Sequence, residues 1–435
     1  MSEQIEYVEL RFVDILGCLK GMTVPCQPAD TLKDVAKDPI LVEGTSIDGS
    51  SIVGMSAVEA SDLRLVPDPS SLMELPYSAQ RIAAAMCFVR EKEEDLGHAT
   101  WYPLDSRGVL HSVCERYLTE NKQLRVKVEP EFHFITAEGE RIDGAGYADT
   151  YPQSPGSDVL LEIATAIQSM GMKPRVFHHE VGEAQQEIEI AYDEVRRMAD
   201  FILVFKNLAR TVARSQDMDV TFMPKPFESA AGNGLHCHLQ LWDRSRNLFG
   251  KEDGDLLSDT ARHFIAGILE HAPALTALAN PTVNSYKRMV PRHEAPVYIT
   301  WGFVNRIALV RIPLLEDSNG AAAEFRSPDA MTNPYLLFSA IIATGMDGVN
   351  RGLSPPEPHS ENIFSLTDKQ LKKSGIKMLP TSLQEALSHL RKNTVIRDAI
   401  GSPLLDTFIT VKQEEWREYA NETVTEWEWW KYHSF

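Results

Sequence analysis

No run of apolar residues in the sequence approaches the roughly eighteen needed to span a bilayer. The opening stretch MSEQIEYVEL also lacks the basic flank and apolar core of an export signal. A cytoplasmic protein with no membrane partner is the expectation. Basic residues are short too: 43 Lys and Arg stand against 62 Asp and Glu, a net charge of -19. Long-range repulsion on that scale excludes nonspecific binding to nucleic acid or to anionic membranes. The five cysteines (18, 26, 87, 114 and 237) are odd in number and have no CxxC spacing, which argues against a disulfide framework and a structural zinc site and fits a reducing compartment. Neither GxxxxGK[ST] nor GxGxxG occurs, so a nucleotide would have to be held by something other than a glycine-rich loop at a helix N-terminus. There is no internal repeat.

What is present begins with size. A chain of 435 residues with 43% hydrophobic content can bury a large core and exceeds one typical domain. The sequence predicts two domains, 1–103 and 104–435. In the first, residues 5–12 and 19–25 form a hairpin around DILG, 81–89 is a further strand, and the Gly- and Ser-rich 44–55 is a loop. In the second, Asp105 caps a helix to about 120, since its carboxylate can accept the free amide hydrogens of the first turn. Helical periodicity covers 159–170, 193–215, 258–279 and 334–349, with more helices at the end. Residues 220–225 are a strand, 137–158 a long loop, and 297–312 a weakly alternating stretch.

The strongest signal lies at 126–134, VKVEPEFHF. In an extended chain Val126, Val128, Phe132 and Phe134 point one way and Lys127, Glu129, Glu131 and His133 the other. An isolated ExE on such a strand is ordinarily a solvated face. Here a second alternating run, LHCHLQLW at 235–242, carries His236 and His238, and EIEI at 187–190 adds Glu187 and Glu189 below Glu180. Carboxylates with a minority of imidazole suit hard divalent cations, magnesium or manganese, rather than zinc. Glu129, Glu131, Glu180, Glu187, His236 and Glu324 could hold two or more of them. Arg288, Arg306, Arg311 and Arg326 add guanidinium forks for carboxylate and phosphate. Together these are the parts of phosphoryl transfer.

The motifs that contain these residues, DGSSIVG at 48–54, EPEFHF at 129–134, HHEV at 178–181, GLHCH at 234–238, NPTVNSYKR at 280–288, EAPV at 294–297 and FRSPD at 325–329, resemble those of glutamine synthetase and follow family order across nearly the whole chain. The resemblance implies an α+β fold: a small N-terminal β-grasp domain and a large C-terminal α/β catalytic domain with a curved antiparallel sheet. It implies a homo-oligomer, a dodecamer of two hexameric rings, with each site between one subunit's N-terminal domain and its neighbour's sheet, and a small regulatory protein as a further partner. ATP would phosphorylate glutamate, and ammonia would displace the phosphate. On this likeness Glu131, Glu180 and Glu187 hold one Mg2+ (or Mn2+), and Glu129, His236 and Glu324 another. Glutamate meets Glu131, Gly232, His236, Arg288 and Arg326. ATP meets His238, Arg306 and Arg311. Ammonium meets Asp48, Tyr147, Glu180 and Glu294, with Asp48, Glu294 and Arg306 as catalytic residues.

Some positions depart from that pattern. Ala231, Gln240 and Ala322 stand where the family has Asn, Ser and Arg, and Arg175 where it has a carboxylate. Phe364 occupies the position of the Tyr adenylylated in some bacterial members. Two alternatives to glutamine synthesis follow: TFMPKPF at 221–227, GNG at 232–234 and LWD at 241–243 resemble relatives that are γ-glutamyl ligases using a primary amine, and Ala231, Gln240 and Ala322 suit a ring-forming regulatory homologue without activity.

Overall fold

The computed structural model describes the chain apart from residues 1–3, 59–60, 79, 92–100, 119–120, 252–256, 292–293, 315–317, 361–362, 364–369, 372–374, 423, 425 and 433–435. Phe364 therefore lies outside the described residues.

The first sheet is built from β1 (Ile5–Val13), β2 (Leu19–Ala29), β3 (Thr45–Asp48), β4 (Asp62–Pro67), β5 (Met73–Glu74) and β6 (Ala83–Glu91). β1 and β2 form the expected antiparallel hairpin, and β1 then runs parallel to β6, which gives the order β2-β1-β6-β4-β3 with β5 beside β6. Segment 44–55 is not wholly a loop, because β3 pairs with β4. That pairing joins residues far apart in sequence, and local composition carries no signal for it.

The second sheet contains β7 (Lys122–Ile135), β8 (Pro174–His179), β9 (Gln185–Glu194), β10 (Asp219–Thr221), β11 (Leu235–Asp243), β12 (Arg246–Asn247), β13 (Trp301–Phe303), β14 (Val310–Ile312) and β15 (Ala323–Phe325). Its order is β13-β14-β15-β11-β7-β9-β8, antiparallel except where β13 runs parallel to β14. The sheet is antiparallel as expected, with one parallel pair at its edge. The strand expected over 220–225 stops at Thr221, and the stretch 297–312 resolves into β13 and β14 with turns between.

Alternation along β7 has the predicted effect. Val126, Val128, Phe132 and Phe134 are wholly buried, as are Leu235, Cys237 and Leu239 from β11. They pack on helices α1 (Ser106–Tyr117), α2 (Ser157–Ser169), α3 (Val195–Arg214), α4 (Asp259–Ala279) and α5 (Pro334–Arg351). Asp105 caps α1, accepting from the Arg107 amide at 3.0 Å. Arg107 then bridges the two sheets' surroundings, donating to Asp68 before the first sheet's β5 and to Asp200 on α3. With one face of the second sheet sealed by helices, the charged residues on its other face line a hollow.

Candidate active site

A cavity of about 900 Å3 opens on the charged face of the second sheet, and Glu129, Glu131, Glu180, Glu187, His236 and Arg288 line it. Tyr147, Gly232, Glu294, Arg306, Arg311 and Arg326 also reach it. The strands bring these residues together through register: His236 lies opposite Glu129, Glu131 opposite Glu187, and His238 opposite Glu324. Of the four groups among the described residues whose side chains place one ligand atom each within 4.8 Å of one another, three are on this sheet: Glu129 with His238 and Glu324, Glu129 with Glu187 and His236, and His178 with Glu180 and Glu187. The expected sets differ in detail from these. Glu131 accepts from the Gly234 amide at 2.6 Å and stands 3.8 Å from His236.

His178 was not singled out from the sequence. It sits 3.4 Å from Glu187 and 4.0 Å from Glu180, and its ring meets Tyr147 edge-on at 5.2 Å. The available signal was alternation, since His178 and Glu180 are two residues apart and share a face. Gln185 was missed as well. Its amide donates to Glu131, to the Gly232 carbonyl and to Asn233, a non-local convergence that no motif spells out.

The electrostatics divide the site in two. Burial raises the Glu131, Glu180 and Glu187 carboxyls above the usual carboxylate range, and nearby carboxylates add to the rise: Glu187 and Glu180 at Glu131, Glu294 at Glu180, and Glu129 and Glu180 at Glu187. At Glu129 burial is overcome by His238, His236 and Lys127, so the carboxyl stays well below that range. Glu324 is held down to about 2 despite its burial, by Arg326, His238, His236 and Arg311. Arg311 donates to Glu324 at 2.7 Å and Arg326 pairs with its other oxygen. Burial and Arg326 press His236 down to about 4, which leaves a neutral ring able to ligate. His238 Nε2 lies 2.9 Å from Glu129 but without the alignment of a hydrogen bond. One half of the site thus has an excess of acid and the other is internally compensated. A cation is worth most in the first.

Arg288 donates to the Ser327 carbonyl at 2.8 Å, which leaves its guanidinium edge on the cavity. Close approach explains the glycines beside it. A Cβ on Gly232 would stand 2.5 Å from the Pro224 carbonyl, and one on Gly234 2.6 Å from Arg288 and 3.2 Å from His236. Of the departures, Ala231 lines the cavity, Ala322 is buried, and Gln240 donates to the Ala321 carbonyl at 3.2 Å. Arg175 pairs with Glu189 at 2.7 Å.

Among the expected site residues, His238 and Glu324 do not line the cavity but group with Glu129, which does, whereas Asp48 neither lines it nor joins such a group. It is exposed on the first sheet, where its carboxylate accepts from the Ser50 amide and from the hydroxyls of Ser50 and Ser51 at 2.6 and 2.8 Å.

Comparison with known proteins gives these geometries a context. Residues 4–92 match the model of the glutamine synthetase beta-Grasp domain, and residues 103–432 that of the glutamine synthetase catalytic domain. A glutamine synthetase of Thermococcus kodakarensis is 41% identical over 97% of this chain and 94% of its own length. Among solved structures, a GmaS/ADP complex superposes with a TM-score of 0.87 at 30% identity, covering 99% of this chain and 97% of that one. The glutamine synthetase of Plasmodium falciparum gives 0.84 at 26% identity, over 98% and 96% of the two chains.

Proposed function

Because the chain belongs to the glutamine synthetase family, we propose that its cavity is the catalytic centre and that the side chains around it take the roles the motifs imply. The enzyme is a glutamate–ammonia ligase, and its family works with ATP and a divalent metal. The donor set fits such a metal: oxygen ligands outnumber imidazoles, which suits Mg2+ with Mn2+ as the alternative. Glu131, Glu180 and Glu187 would hold one ion, and Glu129, His236 and Glu324 another. Bound there, the ions supply charge neutralisation for the transferring phosphoryl group.

The chain's own residues do the rest. Arg288 and Arg326 present guanidinium groups to the glutamate carboxylates, with Gly232, Glu131 and His236 shaping that pocket. Arg306 and Arg311 face the phosphates, and His238 lies on the nucleotide side. Ammonium is drawn to Glu180, Glu294 and Tyr147, and a carboxylate must take one of its protons before its nitrogen can attack. We assign that step to Asp48, delivered from a neighbouring subunit, with Glu294 closing the site. This requires a ring, and two stacked hexamers in the cytoplasm are the assembly proposed, with the domain boundary at residues 103 and 104. A small regulatory protein remains among the partners proposed.

The observation that carries the reading is the convergence of carboxylates, imidazoles and four arginines on one cavity. TFMPKPF at 221–227 with GNG at 232–234 favours a second reading, in which a primary amine replaces ammonia. The test is phosphate release from ATP, glutamate and Mg2+ with ammonium compared against a panel of amines. A higher kcat/KM with ammonium supports the first reading and preference for an amine selects the second, whereas no turnover with any nucleophile refutes both.

A further inference from the structure

Glu129 is held by more than its imidazole neighbours. Lys127, two residues earlier on the same face of β7, places Nζ 2.8 Å from Glu129 Oε1 and 2.8 Å from Glu189 Oε1, with its side chain 9% exposed. Glu189 is itself anchored by Arg175. The backbone is shaped around this lysine: Val126 pairs with Asp193 but Val128 with Ile190, so β9 carries a bulge opposite Lys127. The extra residue lies on β9, and opposite it stands a buried ammonium beside a carboxylate shared by two of the three ligand groups on this face.

We propose that Lys127 is a positioning residue that sets cation affinity at the Glu129 site. Its ammonium competes with a divalent ion for Glu129 Oε1, which lowers the affinity there, and filling the site turns Lys127 onto Glu189 alone. The physical reason is Coulombic. A fixed positive charge a few ångströms from a doubly charged ion, in a site with little water to screen it, opposes binding strongly. Among the described residues no Lys or Arg forms an ion pair with Glu180 or Glu187; His178 does, and an imidazole, unlike an ammonium, can give up its proton and ligate the ion itself. The inference rests on the preceding reading that these carboxylates hold divalent cations.

Calorimetric titration of the full-length protein with Mn2+, without nucleotide and at fixed pH, tests it. The wild type is expected to show a tight and a weak class of site. Lys127→Met should tighten the weak class by about tenfold or more, while Lys127→Arg, which keeps the charge, should leave it near wild type. Glu189→Gln, which leaves Lys127 to pair with Glu129 alone, should weaken the same class by about threefold, and it decides the matter if Lys127→Met does not fold. A weak class unchanged in both Lys127→Met and Glu189→Gln overturns the inference while leaving the cation sites standing. A wild type that binds no Mn2+ overturns both.

Discussion

At the scale of single residues, the site depends on places where no side chain fits. Gly234 lies between Arg288 and His236, and the added Cβ of Gly234→Ala would meet the far end of the Arg288 guanidinium at 2.6 Å. A flexible tip can move where backbone cannot, so the fold should survive with its melting temperature within a few degrees of wild type. The displaced guanidinium should raise KM for glutamate by about tenfold or more. An unchanged KM would remove Arg288 from glutamate binding. A second residue reports on stability. Burial and the nearby Arg107 and Arg196 press His111 down from 6.5 to about 4, and its ring lies edge-on to Phe88 at 4.8 Å. The folded protein therefore keeps this ring neutral while the unfolded chain takes up a proton below pH 6.5. The stability is fully present above pH 6.5 and is lost as pH falls toward 4. With a discount for its partial exposure the loss is on the order of 2 kcal/mol. Denaturant titrations across that range, with wild type and His111→Gln, should show the smaller pH dependence in the variant.

At the scale of elements, local pattern and long-range pairing separate. One cap and periodicity made the helices legible: Asp105 starts α1, and periodicity over 258–279 and 334–349 marks α4 and α5, whose caps the structure shows to be Ser258, accepting from the Ala261 amide, and Asn333, accepting from the Tyr335 amide. The packing of α4 on α5 was not legible. Gly267 and Gly348 face each other there, and a Cβ on Gly348 would stand 2.1 Å from the His263 carbonyl and 2.7 Å from the Gly267 amide. Backbone cannot yield as a side-chain tip can, so Gly348→Ala should destabilise the protein by about 2–3 kcal/mol and lower the melting temperature measurably. An unaltered denaturation midpoint would mean that the helices slide apart without cost. The bulge opposite Lys127 belongs to the same class of feature. It is a register event between two strands, and neither strand's composition announces it.

At the scale of the whole molecule, Asp48 is exposed and is not among the residues that line the cavity of its own chain. If each site is completed by a neighbour, Asp48→Ala and Arg326→Ala are both nearly inactive alone, but mixed oligomers regain activity, because some interfaces pair an intact Asp48 with an intact Arg326. Mixing the two variants by dissociation and reassembly, then measuring glutamine formation, checks this. Recovery no greater than the sum of the separate variants would place Asp48 outside the site. Among the described residues no helix is long and apolar enough to cross a membrane, in keeping with the scarcity of long apolar runs in the sequence.

By itself the sequence determined which faces of β7 and β11 are oily and which are charged, where the helices begin, and which carboxylates and imidazoles are available. These are properties of spacing along one chain, and alternation or a cap needs no distant partner. Only the tertiary structure decided that His178 joins Glu180 and Glu187, that Arg311 and Arg326 hold Glu324, and that Lys127 sits between Glu129 and Glu189. Those contacts depend on strand register and on charges brought together from remote segments, and their strength comes from the burial that folding itself creates.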